Sequence, residues 1–162
     1  MVSELGAFGT PSRFYFSTGL IVCAVMSALF IVGLCRACVA PGISRLPALV
    51  LVAYTVSIAG AGIFPLPLRM HLIMGMPSVL LILSPLLSLV LWRRTSQLPA
   101  VRAASMFCLV VMSLGFLAFL PGVLPGLIGL KQRLFHLGWC AWFLYLSYGF
   151  ERAHGSGQEE RA

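Results

Sequence analysis

Six polar side chains in this sequence have the types and positions that chemistry uses: Glu4, Arg69, His71, Lys131, Arg133 and His136. Arg133 and His136 are three apart, so on a helix they share one face. Arg69 and His71 follow the run Pro65-Leu66-Pro67-Leu68. A cationic group of this kind suits a phosphate or carboxylate headgroup, because guanidinium forks bind both through paired hydrogen bonds. The same cations also serve as interfacial anchors whose apolar stems let the charge reach water. Residue types alone leave both readings open.

Other chemistries fit less well. A membrane haem wants paired histidines facing each other inside a bundle. His71 and His136 instead fall near one surface among cations, and His154 lies near the carboxyl terminus. No carboxylate completes a metal-ligand set beside them. Neither a metal nor another cofactor is expected. The chain has no Asp, and Glu4 is the only acid near the cluster, so neither a hydrolytic triad nor a carboxylate pair can form. No Gly-rich phosphate loop is present. Cys35-Arg36-Ala37-Cys38 has redox-type spacing, but Cys23, Cys108 and Cys140 lie in apolar runs. Small apolar packing residues are the simpler reading of all five cysteines.

The elements that must position these groups follow from composition. Of 162 residues, 60% are hydrophobic and only 9% are charged. An ordinary soluble domain carries about 25% charge, so a soluble enzyme, a nucleic-acid-binding domain and a disordered chain are all excluded. Phe14–Cys35, Leu46–Leu68 and Met70–Trp92 are free of charge, as are Ala103–Leu130 and the shorter Leu134–Phe150. A bilayer core needs about 20 apolar residues in a helix. The pattern predicts five transmembrane helices near 15–35, 47–64, 71–92, 102–120 and 133–150. The expected fold is therefore all-α, a polytopic bundle over residues 1–152 with a disordered polar tail at 153–162. The first run has no basic flank before it and no small-residue cleavage site after a short apolar core, so it is not a secretory signal. Intramembrane acids are absent from all five runs, which argues against a pump or an ion-coupled transporter.

Charge also predicts orientation. Arg13, Arg69, Lys131 and Arg133 fall on one side of this topology. Arg36, Arg45, Arg93, Arg94, Arg102, Arg152 and Arg161 fall on the other. The richer side belongs in the cytoplasm, which puts the amino terminus outside and the carboxyl terminus inside. The arginine-rich side attracts anionic headgroups at about 1 kcal/mol per charge. Two series of small residues, Gly19/Cys23/Ser27 and Ala53/Ser57/Ala61, predict close helix packing. Pro77 and Pro85 should distort the third helix unless neighbouring groups satisfy the freed carbonyls. The six polar residues meet at one exofacial site if the third and fifth helices are neighbours.

Three segments carry a resemblance. Ser3-Glu4-Leu5-Gly6-Ala7-Phe8-Gly9-Thr10-Pro11 precedes an apolar helix, Gly62-Ile63-Phe64-Pro65 precedes His71, and Gly129-Leu130-Lys131-Gln132-Arg133 opens a Trp-containing last helix. In this order they resemble the prokaryotic membrane family called domain of unknown function 998, and more distantly the DRAM-like and Sfk-like membrane proteins. The resemblance covers nearly the whole chain and implies a helical membrane fold. It implies six helices in the family, the first helix here corresponding to the family's second. It also implies an acid shortly after Phe-Pro, where this chain has Leu66-Pro67-Leu68-Arg69.

The expected protein is a multi-pass component of a bacterial cytoplasmic membrane. Its first expected function is non-catalytic binding of a lipid or small amphiphile at the exofacial cationic site. The alternative is a structural or accessory subunit of a larger membrane complex, with protein partners or further copies of itself. A membrane enzyme or transporter ranks third, and nucleic acid is not an expected partner.

Overall fold

A computed structural model describes residues 2–39, 42–96, 98–117, 120 and 122–159. Pro41, Gln97, Pro121, Arg161 and the side chain of His154 lie outside the described residues. Every regular element among the described residues is helical. A 3-10 turn at Val2–Gly6 leads to helix α1, Arg13–Ala37. Helix α2 is Leu46–Ile63 and α3 is Arg69–Leu91. Helix α4 is Val101–Phe116 and α5 is Ile128–Glu159. Of these, α1, α2 and α3 are long and apolar enough to cross a membrane, and α4 is a shorter apolar helix.

Local chemistry sets the boundaries. Pro47 sits in the first turn of α2, where its missing N–H would have had no helical partner. Pro65 forces Phe64 out of helical geometry, and α2 stops there. Within α3, Pro77 opens a 3-10 stretch, Met76–Ile82, between α-helical turns Arg69–Gly75 and Leu83–Leu91. The Gly75 carbonyl at this break accepts from Ser57 Oγ at 3.0 Å and from Ser78 Oγ at 2.7 Å. The distortion at Pro77 is the one the sequence leads one to expect, and the two hydroxyls bond the carbonyl at the break while the Met76 N–H bonds that of Ile73. Two boundaries differ from expectation. Helix α4 ends at Phe116 rather than near 120. Helix α5 begins at Ile128 and continues to Glu159, through most of the segment expected to be a disordered tail. No proline follows Pro125, so nothing in that stretch removes a backbone donor.

Successive helices pack antiparallel. Gly62 of α2 lies against the Ser17 carbonyl and Ile21 of α1. Gly60 faces Met74 of α3, and further along the same pair Ser84 Oγ donates to the Pro47 carbonyl at 2.8 Å. Gly115 of α4 lies against the backbone of Phe135, and Gly138 of α5 against Met112. Helices α3 and α5 run parallel and in step. Trp142 Nε1 donates to Ser84 Oγ at 2.8 Å, and Trp92 meets Phe150 edge-on at 5.6 Å, both pairs separated by 58 residues. The same helix reaches α2 through Tyr54–Trp139 and α1 through Phe30–Phe143. Interhelical hydrogen bonds in membranes average only about 0.6 kcal/mol, so close packing at the glycines is the larger contribution. One small-residue series is not used this way: Gly19 has open space beside it, and Cys23 is exposed.

These directions give the bundle two ends. The amino-terminal segment, the α2–α3 loop and the α4–α5 loop lie at one. The α1–α2 loop, the α3–α4 loop and the last turns of α5 lie at the other.

Candidate functional site

All six candidate residues fall at the amino-terminal end of the bundle, on three separate pieces of chain. The first piece is coiled on itself. Thr10 Oγ1 donates to the Leu5 and Ala7 carbonyls at 3.0 and 2.8 Å, and Ser12 Oγ donates to Leu5 at 2.7 Å. Gly6 is pressed against Phe16, leaving no room for a β-carbon. Glu4 is exposed on the 3-10 turn so formed. The Arg13 guanidinium lies over the Phe8 ring at 4.0 Å. The Phe8 N–H donates to the Leu66 carbonyl at 2.9 Å, which docks this segment on the α2–α3 loop.

The start of α3, directly after that loop, carries Arg69 and His71. His71 Nδ1 donates to the Phe64 carbonyl at 2.8 Å, so the proton sits on Nδ1. The ring thereby caps a carbonyl left open where α2 ends. Arg69, the first residue of α3, is exposed.

The third piece behaves differently from expectation. Lys131 is buried, only 4% exposed. Its Nζ donates to the Leu117 carbonyl at 3.0 Å and to the Val123 carbonyl. The Leu117 carbonyl also accepts from the Leu120 N–H at a longer 3.4 Å, so Lys131 adds the shorter of that carbonyl's two bonds. Its charge also sits at the carboxyl end of α4, where the helix dipole favours a cation. His136 Nδ1 donates to the Gln132 carbonyl at 2.6 Å, and its ring lies 6.2 Å from Trp139. Arg133 is exposed.

The structure therefore places the six residues at one end but does not converge their hydrogen bonds on one point. His71, Lys131 and His136 are committed to main-chain carbonyls in their own segments. Arg69 and Arg133 keep free guanidinium groups among the described residues. Among those residues no three His, Cys, Asp or Glu side chains gather as a metal-ligand set. Cys38, of the redox-spaced pair, is fully buried, and burial together with neighbouring Cys35 pushes its thiol up to about 11 against the opposing pull of Arg45. A thiol held that high is a poor nucleophile at neutral pH.

Sequence reasoning missed the tryptophan bonds at the opposite end. Trp92 Nε1 donates to the Ser44 carbonyl at 2.8 Å, and Tyr145 Oη donates to the Pro99 carbonyl at 2.9 Å. The available signal was an aromatic residue at a helix end with a polar handle to satisfy. Its partner was not available, because a carbonyl leaves no trace in residue types.

No curated protein and no solved structure matches this chain. A family described as "Protein of unknown function (DUF998)" matches residues 1–148, which takes in all three motif segments and the five helices up to Tyr148. With that match spanning most of its length, the chain belongs to the DUF998 family.

Proposed function

We propose that this chain is a five-span, non-catalytic protein of the bacterial cytoplasmic membrane that binds a lipid or small amphiphile by its headgroup at the exofacial end. The observation that carries the reading is the division of labour there. Among the described residues Arg69 and Arg133 present unpaired guanidinium groups, while His71 and Lys131 fix the loops next to the helix starts that carry those arginines. Arginine forks suit phosphate and carboxylate oxygens. Glu4, on the docked amino-terminal turn, supplies the acid that would distinguish a zwitterionic headgroup from a simple anion.

The span count rests on helix length and direction. Helix α4 has 16 residues, or about 24 Å at 1.5 Å per residue, which covers most of a bilayer core. Helix α5 falls short in apolarity rather than length, since Trp139, Trp142, Tyr145 and Tyr148 dilute its aliphatic content. Its alternation with α4 supports a membrane-crossing pair. Orientation rests on the four-against-seven division of basic residues. Labelling a Ser3→Cys variant, in a background without native cysteines, should succeed from outside intact cells. Labelling only after permeabilisation reverses the orientation.

The binding test is native mass spectrometry of the detergent-extracted protein. Wild type should retain lipid that Arg69→Gln/Arg133→Gln loses, and identical bound lipid in the two proteins removes the exofacial site. The reading as a complex subunit or homo-oligomer has its own support in α1, where Gly19 and Gly33 face open space. A monodisperse monomer after gentle extraction counts against it.

A further inference from the structure

The opposite end of the bundle carries a different kind of cation. Arg36, Arg45, Arg93, Arg94, Arg102 and Arg152 are all exposed there. The chain's single lysine is Lys131, which is buried at the other end as a backbone clamp. Three of these arginines flank one hydrogen bond. Trp92 is fully buried, and its Nε1 donates to the Ser44 carbonyl at 2.8 Å, stitching the α3–α4 loop to the α1–α2 loop. Arg45 follows the acceptor residue directly, and Arg93 and Arg94 follow the donor. Both loops are closed by their own backbone bonds: Ile43 N–H to the Cys38 carbonyl at 3.1 Å, and Thr95 N–H to the Trp92 carbonyl at 3.0 Å. The Phe150 ring holds Trp92 from the side of α5. Among the described residues, the guanidinium groups of Arg45, Arg93 and Arg94 make neither a hydrogen bond nor an ion pair.

We infer that Arg45, Arg93 and Arg94 form a discrete site for the phosphate of one anionic phospholipid in the adjoining leaflet. Orientation of the chain needs only positive charge on this side, placed anywhere in the loops. The structure shows more than that: three forked donors on two tight turns, held together by a buried tryptophan bond and left unpaired among the described residues. A guanidinium gives two parallel N–H groups to a phosphate, whereas an ammonium acts as a point charge. Phosphate has enough oxygens to engage two forks at once. The neighbouring aromatic and aliphatic residues at the ends of α3 and α5 would lie level with the upper acyl chains, so the ligand's apolar part has a surface to follow. This site is independent of the exofacial one, and neither needs the other.

The test uses the full chain in nanodiscs of phosphatidylglycerol and phosphatidylcholine, released into native mass spectrometry so that retained lipids are counted. Wild type should keep one phosphatidylglycerol in preference to phosphatidylcholine. Arg45→Gln/Arg93→Gln/Arg94→Gln should weaken that retention on the order of 100-fold, from roughly fivefold per basic residue. The corresponding triple replacement by Lys keeps every charge and should still lose retention at least about tenfold, because it removes the forks. Arg69→Gln/Arg133→Gln should leave this lipid in place, which separates the two sites. Equal retention by wild type and either triple variant overturns the proposal. Displacement of the lipid by millimolar inorganic phosphate also overturns it, since the site would then be one for free phosphate.

Discussion

The two ends of the bundle carry similar cations and use them in opposite ways. At the amino-terminal end, Lys131 is withdrawn from solvent and spends its donors on the carbonyls of Leu117 and Val123. His71 does the same for Phe64. At the other end the backbone is closed by a neutral group, the Trp92 indole, and among the described residues the arginines beside it make no hydrogen bond or ion pair. The difference shows that position near a membrane surface does not decide what a cation does. What decides it is whether a nearby carbonyl lacks a donor. The Val123 carbonyl, in the loop after α4, takes Lys131 as its donor, and the Ser44 carbonyl beside Arg45 takes the tryptophan.

The comparison can be broken from the amino-terminal side first. Gly115→Ala would drive a methyl group into the backbone of Phe135, separating α4 from α5 and lifting Lys131 off Leu117. A loss of about 3 kcal/mol is expected for overpacking against backbone, read as a lowered thermal midpoint in mild detergent. Lys131→Met keeps the stem but takes a charged donor from two carbonyls, and should lose about 2 kcal/mol. A Lys131→Met protein as stable as wild type would mean the lysine is an ordinary snorkelling anchor. Trp92→Phe tests the neutral closure at the other end, and about 1 kcal/mol is expected from the lost indole bond and smaller ring. The triple Arg45→Gln/Arg93→Gln/Arg94→Gln change should move stability by no more than about 0.5 kcal/mol, as for exposed groups without partners. If it destabilises as much as Lys131→Met, the contrast between the ends disappears.

Much of the fold was legible because apolar runs and prolines act locally. The charge-free windows predict the five helices to within a few residues at most ends, and Pro65 and Pro77 stop or distort helices for reasons visible in the residue itself. The close approach at Gly60 and Gly62 falls beside the small-residue series Ala53/Ser57/Ala61, which was legible as a packing face. The role of Gly19 was not: small size permits close approach, but only the position of the next helix determines whether one approaches. The candidate site was legible as a location and not as a set of roles. Lys131 reads as an interfacial anchor because its partners are main-chain carbonyls on α4 and the following loop. The continuation of α5 to Glu159 was missed because glycines and polar residues read as a tail, although none of them removes a backbone donor.

The bond from the Phe8 N–H to the Leu66 carbonyl sets an order of events during synthesis. The segment before α1 leaves the ribosome ahead of its docking partner, which does not exist until the turn after α2 has been made. Until then its residues have nothing to close upon. The α2–α3 turn, once it has emerged, holds that segment in place. Any change that delays the turn should leave the segment before α1 open to protease for longer than the helices that follow it.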